Sequence, residues 1–294
     1  MTFSGDQGAA RDWSGHQPIL SDRDFSRFSD FIYEACGIKL SSVKKTMLSS
    51  RLQKRLRQLH LESYSDYLDY VMSPEGQAAE LSNMIDVVST NKTDFFREAK
   101  HFDVMTSLVL PDYAQRMTHS SHKVLRVWSA GCSSGEEPYT LAMVLDDFFS
   151  RYPGLDYTIL ATDICTEVLA KAENAVYTDE VVAPVSLGLR NKYLMKGKGA
   201  HRGFHRVVPE LRRKVVFERL NFMDRDFGID KKMDLIFCRN VVIYFDRKTQ
   251  CALFEKFYRQ LSPNGYLFTG HSETLEGIGD RMERVAASVY RCRK

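Results

Sequence analysis

The sequence predicts a doubly wound α/β domain that carries a small inserted β-subdomain and follows an all-α N-terminal domain. Three observations lead to this fold class. The first ~90 residues show only helical periodicity. Strand-like apolar runs then alternate with helical segments, and one connection among them is unusually long. The length of 294 residues also exceeds the ~150 residues typical of one domain.

The N-terminal third divides by composition into a tail, a helical domain and a linker. Residues 1–18 are rich in Gly, Ser and Asp, which predicts a disordered tail and not a secretory signal. In the helical domain, 19–90, Ser21 begins a capping-box-like pattern, and the helix that follows ends near Gly37. Apolar spacing predicts further helices from about residue 41, over 64–72 and over 78–88. Residues 91–121 are expected to form a linker helix region.

The remaining segment, 122–294, has the pattern of a mostly parallel sheet. Apolar runs predict strands over 124–128, 157–162, 215–217, 235–238, 266–269 and 285–291. Helical spacing after the first, second and fourth strands supplies the crossovers, the last of them over about 247–261. The connection 177–214 far exceeds the usual ~2–6 residues, and we interpret it as an inserted β-hairpin or three-strand sheet.

The composition is that of an ordinary globular protein, with 44% hydrophobic and 27% charged residues. It excludes collagen-like, largely disordered and disulfide-scaffold classes. No apolar run approaches the ~18 residues of a membrane span. The six cysteines show no metal-like spacing, which favours reduced, buried thiols in a cytosolic protein. A net charge of +3 argues weakly against a dedicated nucleic-acid binder.

The charges are segregated along the chain, although their sum is small. Residues 35–61 contain seven bases and no acid, residues 62–91 contain six acids and no base, and residues 187–219 contain ten bases against two acids. A block of this kind is most often a solvated face. The alternative is a binding surface, and the sequence leaves both open.

Polar residues follow several of the predicted strands. The first strand leads into a turn with Gly131, Gly135 and the adjacent Glu136 and Glu137, whose GxxxG spacing differs from dinucleotide and Walker A patterns. Each feature alone has an ordinary explanation, such as a turn or a helix N-cap. Acids at a ligand-facing turn repel phosphates and suit a cationic ligand. Together with Asp163 after the second strand, they favour a nucleoside with a positively charged, amino-acid-like tail, for which S-adenosylmethionine is the obvious candidate.

Four motifs together closely resemble the CheR family of bacterial chemotaxis-receptor glutamate O-methyltransferases. They are NKTDFFRE at 91–98, SGEEPY at 134–139, FCRNVVIYF at 237–245 and GHSE at 270–273. The resemblance covers the chain from about residue 20. It implies a class I methyltransferase-type sheet, S-adenosylmethionine as cofactor and S-adenosylhomocysteine as product, with no metal.

The resemblance also implies roles for individual residues. Arg97 would hold the methionyl carboxylate near the transferred methyl, Asp163 would bind the ribose, and Tyr244 would lie near the reaction centre as a second catalytic residue beside Arg97. The full implied cofactor set is Asn91, Thr93, Arg97, Glu137, Asp163, Asn221, Phe222, Arg239 and Asn240. Because a glutamate side chain with a pKa of ~4.3 is ionised at pH 7, no general base is required. We interpret His271 as a structural residue for this reason.

The resemblance also implies binding partners for the two basic blocks. The family uses its N-terminal domain against the helices of methyl-accepting chemoreceptors, which implies substrate binding by Lys44, Arg51, Lys54, Arg55 and Arg57. The insert resembles the subdomain that in one branch docks a receptor's C-terminal pentapeptide by strand addition. These partners imply a cytoplasmic bacterial protein, recruited to membrane receptors without inserting into the membrane. Nothing in the sequence requires more than a monomer.

Two alternatives remain open at this stage. The first is a nucleic-acid methyltransferase whose basic N-terminal helix grips phosphates. Against it, the segment after the fourth strand reads Arg239-Asn240-Val241-Val242, where amino-methylating DNA enzymes carry Asn/Asp-Pro-Pro-aromatic, and no Pro-Cys nucleophile motif is present. The second is a regulatory module that only senses the cofactor. The intact set of pocket residues argues against it without excluding it.

Overall fold

The computed structural model describes residues 18–117, 123–275, 277 and 279–293. The predicted tail lies outside these residues except for Pro18, as do residues 118–121 of the predicted linker region. None of the helices in the described ranges is both long and apolar enough to cross a bilayer. All six cysteines are free thiols, and all but Cys251 are buried, as the sequence predicts.

The N-terminal helices enclose an apolar core of their own. They are α1 (Asp22–Cys36), α2 (Lys45–Gln58), α3 (Tyr64–Met72), α4 (Pro74–Ala79) and α5 (Leu81–Val88), with a 3-10 turn (Ser42–Lys44) before α2. The predicted caps of α1 are confirmed: the Ser21 side chain accepts a hydrogen bond from the Asp24 N–H, and Gly37 ends the helix at a φ of 76°. Leu48, Leu52 and Leu56 of α2 are fully buried in this core.

The single helix predicted over 78–88 is wrong, because the structure has two helices, α4 and α5, that meet at Glu80. The first begins early, since Ser73 caps it by accepting from the Gly76 N–H and Pro74 occupies its first turn. Glu80 itself has a φ of −121° and is 2% exposed. Its side chain receives hydrogen bonds from Arg55 and Tyr67, so tertiary contacts stabilise the break.

The second domain contains a seven-stranded sheet preceded by a helical segment. That segment consists of α6 (Lys100–Val104), a π-helical stretch (Met105–Val109) and α7 (Leu110–Met117). The sheet strands are β1 (Val124–Ala130), β2 (Asp156–Asp163), β6 (Val215–Arg219), β7 (Met233–Cys238), β8 (Leu261–Thr269), β9 (Met282–Ala286) and β10 (Val289–Cys292). Their order is β6-β2-β1-β7-β8-β10-β9, and the first five are parallel. The strand order therefore reverses between β1 and β7, where ligands bind in such sheets.

Helices cover both faces of the sheet, as expected for a doubly wound fold. One face packs against α8 (Glu136–Phe149) and the α6–α7 segment, and the other against α12 (Arg247–Gln260). Helix α9 (Thr166–Asn174) follows β2. The last predicted strand, 285–291, is instead a hairpin of β9 and β10, because Ser288 adopts a φ of 56° and reverses the chain.

The long connection contains the predicted three-strand sheet. Its strands are β3 (Val176–Thr178), β4 (Leu194–Lys196) and β5 (Phe204–Val207), in the antiparallel order β3-β5-β4. Two short helices, α10 (Leu187–Tyr193) and α11 (Pro209–Arg212), accompany it. Tyr193, Leu194 and Val207 are buried in the same core as the sheet face covered by α8, so the insert is packed onto the domain.

Candidate functional site

A cleft lies at the carboxyl ends of β1, β2, β6 and β7, beside the reversal of strand order. Ligands of doubly wound sheets bind at this place in the fold. Every cofactor residue implied by the sequence lines it, and so does Tyr244: Asn91, Thr93, Arg97, Glu137, Asp163, Asn221, Phe222, Arg239 and Asn240. The structure thus brings together side chains that are up to 153 positions apart, from 91 to 244.

The turn after β1 brings its backbone close to the cleft. Gly131 has a φ of 87°, which side-chain-bearing residues rarely adopt, and a Cβ placed on it would lie 2.5 Å from Cγ2 of Val241. The N–H groups of Gly131 and Cys132 donate to the Thr162 carbonyl, which ties the turn to the end of β2. Of the two adjacent acids, only Glu137 lines the cleft, whereas Glu136 is buried and accepts from the Ser134 hydroxyl.

Asp163 ends β2 with its carboxylate held by backbone donors. The Ser133 N–H donates to Oδ2 at 2.8 Å, and the Cys165 N–H donates to Oδ1 at 3.0 Å. Burial nevertheless raises the pKa of this carboxyl group. A carboxylate has about four acceptor sites, so lone pairs remain for hydroxyl donors of a ligand. The helix-cap explanation of Asp163 is not supported, because Cys165 is the N-cap of α9 and the Asp163 carboxylate binds N–H groups outside that helix.

Arg239 is the central cation of the cleft, and its side chain is only 2% exposed. It pairs with Glu137 at 3.2 Å and Glu98 at 3.3 Å, donates to the Arg97 carbonyl, and lies 5.6 Å from the ring centroid of Phe102. A buried charge is tolerated when it is paired in this way. Burial raises the pKa of Glu137, although Arg239 and the Ser129 hydroxyl counteract it, so a positively charged ligand group is suited to this carboxyl.

The N-terminal domain forms one wall of the cleft, through Cys36, Ile38, Ser89 and Thr90. The sequence did not predict this wall, since apolar residues after a helix carry no signal of where they dock. Asn221 fixes the contact: its Nδ2 donates to the Ala35 carbonyl at 2.7 Å, and its Oδ1 accepts from the Met223 N–H.

Two of the five basic residues assigned to a substrate surface have internal partners instead. Arg55 forms a bidentate pair with the buried Glu80, at 2.7 and 2.5 Å. Arg51 donates to the carbonyls of Val88 and Ser89 at the end of α5. Both guanidinium groups therefore help to hold the helical domain together.

The other three basic residues remain accessible. Lys54 and Arg57 are exposed. Lys44 is partly exposed, and its Nζ lies 5.5 Å from the ring centroid of Tyr244, beside the cleft.

A second charged cluster lies behind the cleft and was missed by the sequence analysis, although Glu98 and His271 belong to two of the quoted motifs. Glu98, His101 and His271 bring one ligand-type atom each within 4.8 Å of one another. Burial and the charge of Arg239 lower the pKa of His101 to about 4, so this imidazole is neutral at pH 7. Glu273 accepts from the N–H groups of Asn240 and Gly270.

Comparison with known proteins identifies similar chains. The model of the CheR methyltransferase SAM-binding domain matches residues 91–291, and that of the CheR methyltransferase all-alpha domain matches 23–89. The chemotaxis protein methyltransferase of Escherichia coli is 40% identical over 271 residues, which are 92% of this chain and 91% of the relative. That of Borreliella burgdorferi is 38% identical, over 92% and 95% of the two chains. That of Salmonella typhimurium is 38% identical, over 92% and 90%.

Proposed function

Because the chain belongs to the CheR methyltransferase family, we propose that it transfers the methyl group of S-adenosylmethionine to glutamate side chains of chemoreceptors. The product of the cofactor is then S-adenosylhomocysteine, and the protein product is a glutamyl methyl ester. The observation that carries the proposal is the cleft at the sheet's reversal point, lined jointly by the residues of three motifs. Such methylation serves sensory adaptation in chemotaxis.

The residues of the cleft fit this cofactor. Asp163 retains acceptor sites for the ribose hydroxyls, and Glu137 offers a carboxylate to a positively charged amino group. Arg97 lines the same cleft and supplies a cation for the methionyl carboxylate. The apolar side chains of Ile38 and Phe222 provide a surface for the adenine ring.

The reaction requires alignment more than proton transfer. S-adenosylmethionine supplies an electrophilic methyl group on a positively charged sulfur. A substrate glutamate, with an ordinary pKa of about 4.3, is already ionised at neutral pH. Arg97 and Tyr244 orient its oxygen, and exclusion of water strengthens their interactions with the carboxylate. His271 does not line the cleft, in agreement with a structural role.

The accessible bases beside the cleft suit an acidic helical substrate. Lys44 lies beside Tyr244, and Lys54 and Arg57 are exposed on α2, so all three can offer positive charge to such a substrate. We assign the receptor's methylated helices to this surface, where a glutamate can reach the cleft. Because Arg51 and Arg55 are turned to internal partners, fewer cations remain for a phosphate backbone. This favours a protein substrate over a nucleic acid, as do the relatives' names.

The inserted sheet offers a separate docking site for a receptor's C-terminal pentapeptide. Its two outer strands, β3 and β4, each pair only with β5 among the described residues, so an extended peptide can add beside either of them. Met195 and Phe204 are both 43% exposed and offer apolar contacts. We further propose that the enzyme acts as a monomer in the bacterial cytoplasm and reaches membrane receptors through these contacts.

The decisive experiment is transfer of a labelled methyl group from S-adenosylmethionine to receptor-containing membranes. Mild base should then release the label as methanol, because a glutamyl methyl ester is hydrolysed under conditions that leave methylated amines and bases intact. Label that resists base would exclude ester formation. Cofactor binding without any transfer would instead favour a regulatory module.

A further inference from the structure

Glu98 lies just outside the lining of the cleft, yet donors from the cleft-lining loop after β7 and from the neighbouring loop after β8 converge on its carboxylate. Arg239 Nε donates to Oε2, and Asn240 Nδ2 and the His271 N–H donate to Oε1, each at 3.3 Å. The side chain is 13% exposed. Burial alone would raise the pKa of Glu98, but Arg239, the His271 N–H and Asn240 outweigh it and lower the pKa. The group is therefore an anion at neutral pH.

The backbone around Glu98 is held in an unfavourable conformation. Phe96 and Glu98, on either side of Arg97, have φ values of 56° and 55°. Such left-handed residues are strained and persist only where their surroundings fix them. Here the Phe96 N–H donates to the Thr140 hydroxyl at 3.2 Å, and Arg239 donates to the Arg97 carbonyl. The conformation of the loop thus depends on the groups that Glu98 binds.

We propose that Glu98 is a positioning residue for methyl transfer, which fixes Arg239 and Asn240 from behind the cleft and locks the loop that presents Arg97. The proposal rests on the proposed function. Glu98 does not itself line the cleft, so it acts through Arg239, Asn240 and Arg97. The two carboxylate oxygens of Glu98 join the segment between the domains to the loops after β7 and β8. A single substitution of Glu98 should therefore disturb Arg97 as well as Arg239 and Asn240.

A metal centre is the competing explanation, because two imidazoles and a carboxylate are a common transition-metal set. The geometry favours the hydrogen-bonded role. Bonds of about 2.0–2.2 Å to one ion require the ligand atoms to converge well inside the 4.8 Å span of this cluster. The Arg239 guanidinium, 3.3 Å from Glu98, would also repel a divalent cation.

The test compares Glu98→Gln and Glu98→Asp with Glu255→Gln, which removes a carboxylate paired with Arg281 and Arg259 away from the cleft. Calorimetry gives the Kd for S-adenosylhomocysteine, and methyl transfer to receptor membranes gives kcat and KM. For Glu98→Gln we expect the Kd to rise and kcat to fall on the order of 10- to 100-fold. The charge-conserving Glu98→Asp should recover part of both, and Glu255→Gln should match the wild type within twofold.

A double-mutant cycle separates positioning from general stability. In an Arg97→Ala background, Glu98→Gln should raise the Kd much less than in the wild type, because the residue that it positions is absent. Variants that only melt at lower temperature, with unchanged Kd and kcat, would overturn the proposal, as would loss of folding in both Glu98 variants. Activity lost on dialysis against a chelator and restored by Zn²⁺ would identify a metal site instead. Since the Kd needs no receptor, it remains readable if the proposed protein substrate is wrong.

Discussion

Tyr244 occupies a position where several features of the cleft meet. It lines the cleft, its ring lies 5.5 Å from Lys44 Nζ, and its carbonyl accepts from the Lys39 N–H at 2.9 Å. The residue therefore lines the cleft and contacts the N-terminal domain at once. Its backbone role and its hydroxyl role can be separated, because removing the hydroxyl leaves the carbonyl in place.

Tyr244→Phe and Arg97→Ala should lower kcat while the melting temperature stays close to that of the wild type. We expect a loss on the order of 10- to 100-fold, because each substitution removes a group that orients the substrate oxygen. Labelled-methyl transfer provides the measurement, and Tyr152→Phe, at an exposed site just after the C-terminal end of α8, provides the control. A fully active Arg97→Ala enzyme would remove Arg97 from the catalytic assignment.

The buried ion pair of Arg55 and Glu80 leads to a prediction about the stability of the fold. Burial would raise the pKa of Glu80, but hydrogen bonds from Arg55, Tyr67 and Asn83 lower it below the ordinary value. The pair's contribution to stability is therefore fully present above the unfolded-state pKa, about 4.3, and is lost as pH falls through the lower folded-state pKa. Glu80→Gln should cost about 3 kcal/mol at pH 7, since it leaves Arg55 without its charge partner.

Urea denaturation of the wild type and Glu80→Gln at pH 7 and at successively lower pH measures this effect. The difference between their free energies of unfolding should narrow below about pH 4. Glu167→Gln is the matched control, because Glu167 forms an exposed pair with Lys171, a class of pair worth about 0.3–0.5 kcal/mol. An equal loss in both variants would contradict the distinction between buried and exposed pairs.

At the scale of the element, the basic residues of α2 fall into two groups, although the sequence shows them as one block within residues 35–61. Leu48, Leu52 and Leu56 face the core. Arg51 is directed to the last carbonyls of α5, where a cation also stabilises the helix dipole. Lys54 and Arg57 are exposed. The block is therefore part internal scaffold and part surface.

Charge reversal on the exposed face tests that division. Lys54→Glu with Arg57→Glu should raise the KM for receptor several-fold, because an acidic substrate is then repelled, and should leave the Kd for S-adenosylhomocysteine unchanged. Lys231→Glu with Arg225→Glu reverses the same number of exposed charges in the connection between β6 and β7, outside α2, and serves as control. Equal weakening of cofactor binding would show that α2 supports the cleft and does not recognise the receptor.

The ends of helices were predicted well where local sequence signals agree, and less well where tertiary contacts determine them. The caps of α1 follow from Ser21 and Gly37 alone. The break at Glu80 does not, because it depends on partners 13 and 25 positions away in the chain. For the same reason the sequence could place bases on α2 but could not tell that Arg51 and Arg55 turn inward.

At the scale of the whole molecule, the two domains are joined by polar contacts around the cleft. Asp86 of α5 accepts from the N–H groups of Thr166 and Glu167, at 3.0 and 3.2 Å, and from the Thr166 hydroxyl. It thereby caps α9 from the other domain. Tyr33 donates to Asp246 at 2.9 Å on a second side. The strand-end residues of the site were predictable from sheet topology, whereas this docking was not.

Asp86→Ala should weaken cofactor binding from a distance. The loss of a helix cap costs about 1 kcal/mol, and it loosens the wall that the N-terminal domain contributes to the cleft. We expect a lower melting temperature, a several-fold higher Kd for S-adenosylhomocysteine and faster proteolysis between the domains. Asp69→Ala removes a surface pair with Arg27 inside the N-terminal domain and should leave the Kd unchanged. A wild-type Kd in Asp86→Ala would mean that the wall does not depend on this contact.

The wall formed by Cys36, Ile38, Ser89 and Thr90 has a consequence for how the protein unfolds. The two domains have separate apolar cores, so each is a potential unfolding unit. A ligand that touches both binds only when both are folded, and it couples their unfolding by mass action. Heating the ligand-free protein should therefore give two calorimetric transitions, and saturating S-adenosylhomocysteine should merge them into one. The methyl donor would then govern the lifetime of the enzyme as well as its turnover.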